Sequence, residues 1–411
     1  MNWDDTPEQA AFRAEVQRFI RERFPPGYLP DAEGEASLEP EDVYGFNWAA
    51  DRRSDDPERR AAALSWARAL AEKGWVAPHW PQKYGGAGLD IFREFILHEE
   101  MMRAGVPTVN GIGAFLLGPT LLRYGDEIQR RAHLPRISAG EEVWAQGFSE
   151  PDAGSDLAAL RTRAVRDGDH YVVNGQKVWT SLAQHADWLF ALVRTDPKAP
   201  KHRGITFLMI DLASPGVAVR PIEDMRGDHP FAEVFLENVR VPTTNRVGEE
   251  NHGWRVAMAT LDFERSGIGA TIKCEQALNR LIRFIHSDEG KAYLRSDWRQ
   301  SVRHEIAERY IEIRVLYNLA LSAASKSAAG ETASDTASIN RLFGAAVYQR
   351  LARTGAKAFG VYGNLWQRKS APLGAHFTRD CAAALAQSFL AGSSEIQRNV
   401  IATRGLGLPR E

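Results

Sequence analysis

Apolar residues recur at intervals of three and four along both ends of the chain, and this spacing is typical of amphipathic helices. Four helices are predicted in the first part of the chain, near Pro7–Arg23, Pro57–Lys73, Ile91–Ala104 and Asp126–Ser138. The segment Phe24–Asp56 is rich in Pro, Gly and acidic residues, so we predict a loop or an irregular insert there.

The pattern shortens to that of strands between Glu142 and Val247. His170 to Trp179 is predicted to form a hairpin around Asn174-Gly175, because Asn-Gly favours a tight two-residue turn. Further strands are predicted at Ile205–Asp211, Val217–Pro221 and Ala232–Leu236.

Helical spacing returns after Asn251. The predicted helices are Gly253–Ser287, Trp298–Ser327, Ser334–Phe359 and Thr378–Leu390, with a short one from Ser394. Helices, then strands, then helices predict an α+β chain with segregated elements. We predict an N-terminal all-α domain at 1–140, a central β-domain at 141–250 and a C-terminal helical bundle at 251–411.

One position breaks the apolar pattern of the helix predicted after Gly253. Glu264 lies three residues after Leu261 and four before Ile268, on the stripe that should face the core. A carboxylate there is desolvated or lines a cavity, and either environment tends to raise its pKa and suits it to general-base catalysis. The alternative is a structural carboxylate that pairs with Arg265 or another cation.

Composition narrows the class of protein. The chain has 411 residues, 44% of them hydrophobic and 25% charged, which is enough for two or three domains with a large core. A net charge of −2 argues against a nucleic acid or an anionic membrane as partner, and no apolar run approaches the ~20 residues of a membrane span. The polar N-terminus does not resemble a secretory signal. Cys274 and Cys381 form neither a disulfide framework nor a metal cluster, which predicts no metal and a reducing cytoplasm.

Two loops have the composition of anion-binding turns. Phe148–Asp156 combines Pro, Gly, Ser and Asp, and successive N–H groups in such a turn can hold phosphate oxygens, with Ser155 adding a hydroxyl donor. In Ala391–Gln397 a Gly precedes a capping box formed by Ser394 and Gln397, so free N–H groups of a helix start would face outward. The alternatives are an ordinary turn and an ordinary helix start.

Three stretches together resemble the acyl-CoA dehydrogenase family. Phe148–Asp156 is similar to its first signature, Asn174–Ser181 to its second, and Ala391–Arg398 to its C-terminal one. The resemblance extends from end to end and implies an N-terminal helical domain, a central β-barrel-like domain and a C-terminal four-helix bundle. FAD would lie between the β-domain and the bundle.

The resemblance also implies which residues hold the cofactor. They are Phe148, Ser149, Gly154, Ser155, Trp179, Ser181, Gln300, Gly360, Ser393 and Glu395. Phe148 and Ser149 would touch the pyrimidine edge of the flavin, while Gly154 and Ser155 would hold the pyrophosphate.

The remaining cofactor residues have roles at the ring and at the adenine. Trp179 would cover the flavin ring, although a Trp at that place in a strand could equally fill the core. Ser181 would donate a hydrogen bond near N5. Ser393 and Glu395 would contact the adenine end, and Gln300 would reach the flavin from the bundle.

The family reaction explains the need for a base. A carboxylate removes the α-proton of an acyl-CoA thioester while a hydride passes from the β-carbon to flavin N5, which gives a 2-enoyl-CoA. Many members place this Glu directly before the C-terminal Gly, but Ala391 stands there in this chain. A second branch, with the isovaleryl-CoA and long-chain enzymes, carries it in a Glu-Arg pair on the first bundle helix, as Glu264-Arg265 does here. Substrate contacts are then predicted for Arg265, Ser155 and the backbone N–H of Ala391, and electrons would pass to an electron-transfer flavoprotein.

Two departures from the family pattern concern flavin contacts between subunits. Glu289 stands where an Arg usually reaches the neighbouring flavin, and Lys357 replaces a Gln ahead of the loop Gly360–Gly363. In this the chain resembles bacterial members in which two different dehydrogenase chains form a mixed assembly. A homodimer or homotetramer is predicted, with a heterotetramer of two chains as the alternative.

Three other functions are compatible with the motifs. A flavin monooxygenase or a nitroalkane-type oxidase on the same fold would use oxygen. A non-catalytic partner subunit would not retain FAD alone, and an acyl-CoA oxidase would usually be longer. An Ala at position 391 leaves room for a branched or ring-bearing acyl group.

Overall fold

The computed structural model describes residues 5–28, 46–263, 268–293, 299–331 and 334–409. Its N-terminal helices are α1 (Pro7–Arg23), α2 (Phe46–Asp51), α3 (Pro57–Glu72), α4 (Ile91–Ala104), α5 (Gly118–Tyr124) and α6 (Glu127–Ser138). A π-helical segment, Gly113–Leu117, leads directly into α5. The C-terminal helices are α7 (Gly253–Phe263), α8 (Ile268–His286), α9 (Asp288–Tyr293), α10 (Arg299–Ala328), α11 (Ser334–Ala358), α12 (His376–Ala386) and α13 (Ser394–Val400).

The four predicted N-terminal helices are confirmed. Their ends were predictable from the sequence because they depend on local capping. Thr6 and Gln9 form a reciprocal capping box at the start of α1, and Pro7 occupies its first turn. Asp90 accepts hydrogen bonds from the first turn of α4, which ends at Gly105 with a φ of 67°.

The predicted insert Phe24–Asp56 is in part wrong, since Phe46–Asp51 forms a short helix. Trp48 in this helix is fully buried, and its indole N–H donates to the carbonyl of Ala63 at 3.0 Å. The apolar contacts of one Trp therefore order a segment whose composition favours a loop.

The central part of the chain forms a mixed sheet. Its strands are β1 (Trp144–Gly147), β2 (Arg163–Asp167), β3 (His170–Ser181), β4 (Trp188–Arg194), β5 (Ile205–Asp211), β6 (Val217–Ile222), β7 (Phe231–Pro242) and β8 (Arg246–Val247). The strand order is β6-β7-β3-β2-β4-β5-β8, and β1 adds to β4 in parallel. The sheet thus lies between two helical regions of the sequence, as the α+β prediction requires.

The hairpin predicted around Asn174-Gly175 is wrong. β3 continues through both residues and pairs with β7 along most of its length, with a register shift between Val173 and Gly175. A Cβ at Gly175 would lie 2.5 Å from Oγ1 of Thr162, so the glycine serves close approach of two strands and not a turn. The turn instead lies six residues earlier, where Gly168 and its successor join β2 to β3.

The helices after residue 252 fall into two groups by their contacts. α10 and α11 lie side by side, α8 packs against both, and α12 packs against α11. α7 instead packs on β5, α5 and the π-helical segment. The single helix predicted at Gly253–Ser287 corresponds to α7 and α8, and residues 264–267 between them lie outside the described residues.

Candidate functional site

The first two signature stretches lie side by side in the sheet. The N–H of Val178 donates to the carbonyl of Ser149 at 3.0 Å. Next to this bond, the fully buried Lys177 donates from Nζ to Oε1 of Glu150 at 2.8 Å and to the carbonyls of Phe148 and Leu192 at 3.2 and 2.7 Å. One lysine therefore fixes the backbone of the first signature against the second.

Glu150 completes this buried ion pair. Its carboxylate also accepts from the N–H groups of Arg161 and Thr162 at 2.6 and 2.9 Å. Burial alone would raise the pKa of Glu150, but the Lys177 charge and these hydrogen bonds leave it below its ordinary value. The sequence-based site did not include either residue, and an acid and a base inside two adjacent signatures were the signal that could have indicated the pair.

The turn that follows Glu150 leaves two backbone donors free within the described part of the chain. Glu150 and Ala153 exchange reciprocal backbone hydrogen bonds at 3.0 Å, which closes the turn. No described residue accepts a hydrogen bond from the N–H of Gly154 or Ser155, and both residues are exposed. A Cβ built on Gly154 would meet no atom within 4 Å, so protein packing does not require this glycine. These observations fit the approach of a phosphate group to the bare backbone.

Trp179 is a surface and not a filler of the core. Its side chain is 56% exposed, and its only ring contact among the described residues is edge to face with Phe231, at 6.0 Å between centroids. It has a φ of 58°, which bulky residues rarely adopt, at a register shift between Lys177 and Thr180. Functional sites commonly hold such a conformation. Ser181, two residues later, lies half-buried opposite Phe231 on β7.

Trp179→Ala is expected to weaken flavin binding or to shift the flavin absorbance while the fold is retained, because the exposed indole offers a stacking surface. Flavin content and the visible spectrum of the purified variant measure this. Tyr310→Ala, which truncates an exposed aromatic residue of α10, is the matched control. A Trp179→Ala protein that fails to fold with excess flavin would show that the indole is core filler.

The C-terminal signature forms a turn with a free donor. Ala391 and Gly392 have φ of 49° and 90°, and the side chain of Gln397 donates to both carbonyls at 3.4 Å. No described residue accepts from the N–H of Ala391. The helix begins at Ser394 as predicted, but its N-cap is Ser393, whose Oγ accepts from the N–H of Ile396, so the predicted capping box of Ser394 with Gln397 is wrong.

The structure brings some predicted residues together and leaves others apart. Phe148 is buried edge to face with Phe190 and Phe207, so its ring serves the sheet core. Glu395 and Gln300 are exposed, on α13 and α10. Glu264 and Arg265 lie outside the described residues.

The two departures from the family pattern are on the bundle. Lys357 forms an ion pair with Glu305, so its charge is already neutralised within the chain. Glu289 lies in the first turn of α9, and Gly360 follows α11 with a φ of 56°. The two positions thus differ in local environment, and among the described residues Lys357 has an ion-pair partner.

An ion pair that the sequence did not reveal joins the sheet to the bundle. Arg379 on α12 donates to both carboxylate oxygens of Asp228 at 3.1 and 3.2 Å. Asp228 lies in the β6–β7 loop, three residues before Phe231 and therefore close in sequence to the contact of Trp179. This pair fixes the loop that borders the exposed indole.

Neither a metal-binding cluster nor a membrane-spanning helix is found among the described residues. No group of three or more His, Cys, Asp or Glu among them could hold a metal ion. Within the same ranges, no helix combines the length and the apolar character that a membrane crossing requires.

Comparison with known proteins gives the class. The chain matches the acyl-CoA dehydrogenase N-terminal domain over residues 47–141, the middle domain over 145–239 and the C-terminal domain over 251–406. The chain therefore belongs to the acyl-CoA dehydrogenase family, whose members are FAD-dependent oxidoreductases. FAD is accordingly its cofactor, and the exposed indole and the open turn at Gly154 fit that group.

The chain is also similar to individual members of this family. The chain is 38% identical over 365 residues to acyl-CoA dehydrogenase IpdE1 of Mycobacterium tuberculosis, covering 86% of this chain and 89% of the relative. It resembles the solved Tcur3481-Tcur3483 steroid ACAD with a TM-score of 0.82 and 28% identity over 100% of both chains. The ChsE4-ChsE5 complex from Mycobacterium tuberculosis gives a TM-score of 0.79 and 32% identity over 100% of both chains.

Proposed function

We propose that this protein removes the α-proton of an acyl-CoA thioester with Glu264 as the base and forms a 2-enoyl-CoA. The observation that carries this proposal is the Glu264-Arg265 pair, whose place in the sequence directly after α7 matches the alternative base position of the family. Glu264 itself lies outside the described residues, but Leu261 before it packs on the large core and Ile268 after it is buried against α4.

A hydrogen bond near the end of α7 supports this assignment. Thr260, four residues before Glu264, is fully buried, and its Oγ1 lies 2.8 Å from Oγ1 of Thr120 on α5. Such a bond between helices fixes the register of α7 up to the turn before Glu264. A general base needs this precision because proton transfer depends on hydrogen-bonding distance.

The remaining groups have separate tasks. The N–H groups of Gly154 and Ser155 would bind the FAD pyrophosphate, and Trp179 and Ser181 would contact the ring. Bound FAD would supply the hydride acceptor. The free N–H of Ala391 would donate to the thioester oxygen and stabilise the charge that forms when the α-proton leaves. Arg265 and Ser155 stay predicted substrate contacts, and Gln300, Gly360, Ser393 and Glu395 stay predicted cofactor contacts.

Anaerobic titration of the FAD-loaded protein with a panel of acyl-CoA thioesters tests the function. We expect bleaching of the oxidised flavin by at least one branched or ring-bearing thioester. A stable flavin hydroperoxide or rapid oxidation by air would favour a monooxygenase or an oxidase. Absence of bleaching with every thioester, or protein that never binds FAD, would favour a non-catalytic partner subunit.

An electron-transfer flavoprotein is the proposed electron acceptor, because an enzyme of this reaction must pass two electrons on. A cytoplasmic location is supported by Cys274 and Cys381, which are both unpaired thiols. Burial raises the pKa of the Cys274 thiol to about 12, so this residue is inert toward oxidation at neutral pH.

The assembly gives a separate prediction. Expressed alone, the chain is expected to form a homodimer or homotetramer with one FAD per protomer, because the motifs for one flavin and one base are all present. Native mass and the ratio of flavin to protomer measure this. The structural neighbours Tcur3481-Tcur3483 and ChsE4-ChsE5 carry two names each, and the second is a complex. Flavin-free protein that gains FAD and activity only with a second dehydrogenase chain would establish the heterotetramer.

A further inference from the structure

Helix α4 carries acidic residues on two sides, and on one side they pair with arginines. Glu99 and Glu100 are buried and both accept from Arg13 of α1, at 2.8 and 2.5 Å. Arg103 also contacts Glu99 at 3.0 Å. These contacts join α1 to α4 and need no further function.

The other side presents Glu94 and His98, one helical turn apart, toward the π-helical segment. The ring of His98 lies edge to face with Phe115 at 4.9 Å between centroids, and His79 lies 6.0 Å from the same ring. Nδ1 of His79 is 3.1 Å from Oε1 of Glu94. We call His79, Glu94, His98 and Phe115 the histidine recess.

The recess is polar and only partly covered by its neighbours. Glu94 and His79 retain 19% and 30% side-chain exposure, and His98 is half-buried, although their neighbours Trp80, Phe95 and Leu97 are buried. No described residue forms a hydrogen bond with the imidazole of His98. Polar side chains that stay partly exposed beside buried neighbours are accessible to a bound ligand.

The protonation of the recess is defined by its surroundings. Burial lowers the pKa of His98, against the opposing charge of Glu94, so the imidazole is neutral near pH 7 with one donor and one acceptor. Burial would raise the pKa of Glu94, but the hydrogen bond and charge of His79 bring it below its usual value. The recess therefore offers a carboxylate, a donor and an acceptor.

The recess adjoins the elements on both sides of Glu264. Phe115 belongs to the π-helical segment on which α7 packs, and α7 ends at the residue before Glu264. Ile268, the first residue of α8, packs in one cluster with Phe95 of α4, which lies between Glu94 and His98 in sequence. α-Helices interrupted by a π-turn often border functional sites.

We propose that the histidine recess binds the end of the acyl group remote from the thioester, and that this end carries a hydroxyl or keto oxygen. This inference rests on the proposed function. The His98 donor would bind either oxygen, and a hydroxyl would also donate to Glu94. A hydrocarbon would desolvate His98 and give its imidazole no partner, whereas a carboxylate would be repelled by Glu94.

The test uses four thioesters and the FAD-loaded protein. They are 3-cyclohexylpropanoyl-CoA and its 4-hydroxy, 4-oxo and 4-carboxy derivatives on the ring. The second-order rate of anaerobic flavin reduction is measured at low thioester concentration. We expect the hydroxy or the keto derivative to exceed the parent by about tenfold or more, and the carboxy derivative to fall below it.

Variants connect this preference to His98. His98→Phe should bring the ratio of oxygenated to parent thioester close to one, and His98→Gln should keep part of the preference. His286→Phe, which changes an exposed histidine of α8, should behave as the unchanged protein.

The two failures are distinguishable. If the wild-type protein reduces its flavin as fast with the parent thioester as with the hydroxy and oxo derivatives, the proposal for the recess is wrong. The acyl-CoA dehydrogenase function would still stand. A preference that survives in His98→Phe would also overturn the proposal for the recess. If none of these or the broader thioester panel reduces the flavin, the proposed function fails and the recess with it. If His98→Phe loses FAD, the ratio of rates with oxygenated and parent thioesters in the wild-type protein and in His98→Gln still tests the proposal.

Discussion

Glu264→Gln is expected to slow flavin reduction by an acyl-CoA thioester by about 10²–10⁴-fold or more while FAD remains bound. Glutamine keeps the size and the hydrogen bonding of the side chain but cannot accept the α-proton. Since proton removal and hydride loss belong to one reaction, flavin bleaching reports on both. Anaerobic stopped-flow spectroscopy at saturating thioester measures the rate directly.

A matched control is Glu275→Gln on the next helix. Glu275 forms an ion pair with Arg103 at 2.8 Å, so its loss should affect packing of α4 on α8 far more than chemistry. Reduction of the Glu264→Gln flavin at the wild-type rate would remove Glu264 from the mechanism. The double variant Glu264→Gln with Ala391→Glu should recover part of the rate, because the family places its base at either position.

Helix boundaries could be predicted from the sequence because the signals that set them are local. Thr6, Asp90 and Asp126 each cap a helix within three residues of their own position, and Gly105 ends one. Such contacts form wherever the chain goes afterwards. The predicted and observed ends of α1 and α4 therefore coincide.

Strand pairing could not be predicted in the same way. Asn174-Gly175 has the local chemistry of a turn, but β3 has β2 on one side and β7 on the other, more than fifty residues later in the chain. Backbone hydrogen bonds along both edges outweigh the turn preference of two residues. The helix at Trp48 is a similar case, since its contacts come from α3.

Two features of the candidate site follow from the motifs themselves, and their contacts with FAD and substrate stay predictions. Trp179 and the turn around Gly154 were identified from sequence, and the structure shows the exposed indole and the open turn. The ion pair of Lys177 with Glu150 was missed because it depends on which strands become neighbours. The contact of Arg379 with Asp228 joins two distant parts of the chain for the same reason.

Lys177→Met is expected to lower the free energy of unfolding by about 3–5 kcal/mol, because it leaves the buried carboxylate of Glu150 without its cation. It also removes the donor to the carbonyls of Phe148 and Leu192. The first signature should then lose its fixed position beside the second, and FAD affinity should fall with stability. Urea denaturation and flavin titration measure the two effects.

A double variant separates the effect of the unpaired Glu150 carboxylate from the effect of removing the Lys177 side chain. In the double variant Lys177→Met with Glu150→Gln, no charge stays buried, so a substantial part of the stability should return. Lys201→Met is the matched control, because Lys201 pairs with Asp156 at the surface and such pairs contribute about 0–1 kcal/mol. If Lys177→Met were no less stable than Lys201→Met, the buried pair would not be what holds the two signatures together, and the packing of Phe148 against Phe190 and Phe207 would have to supply that force.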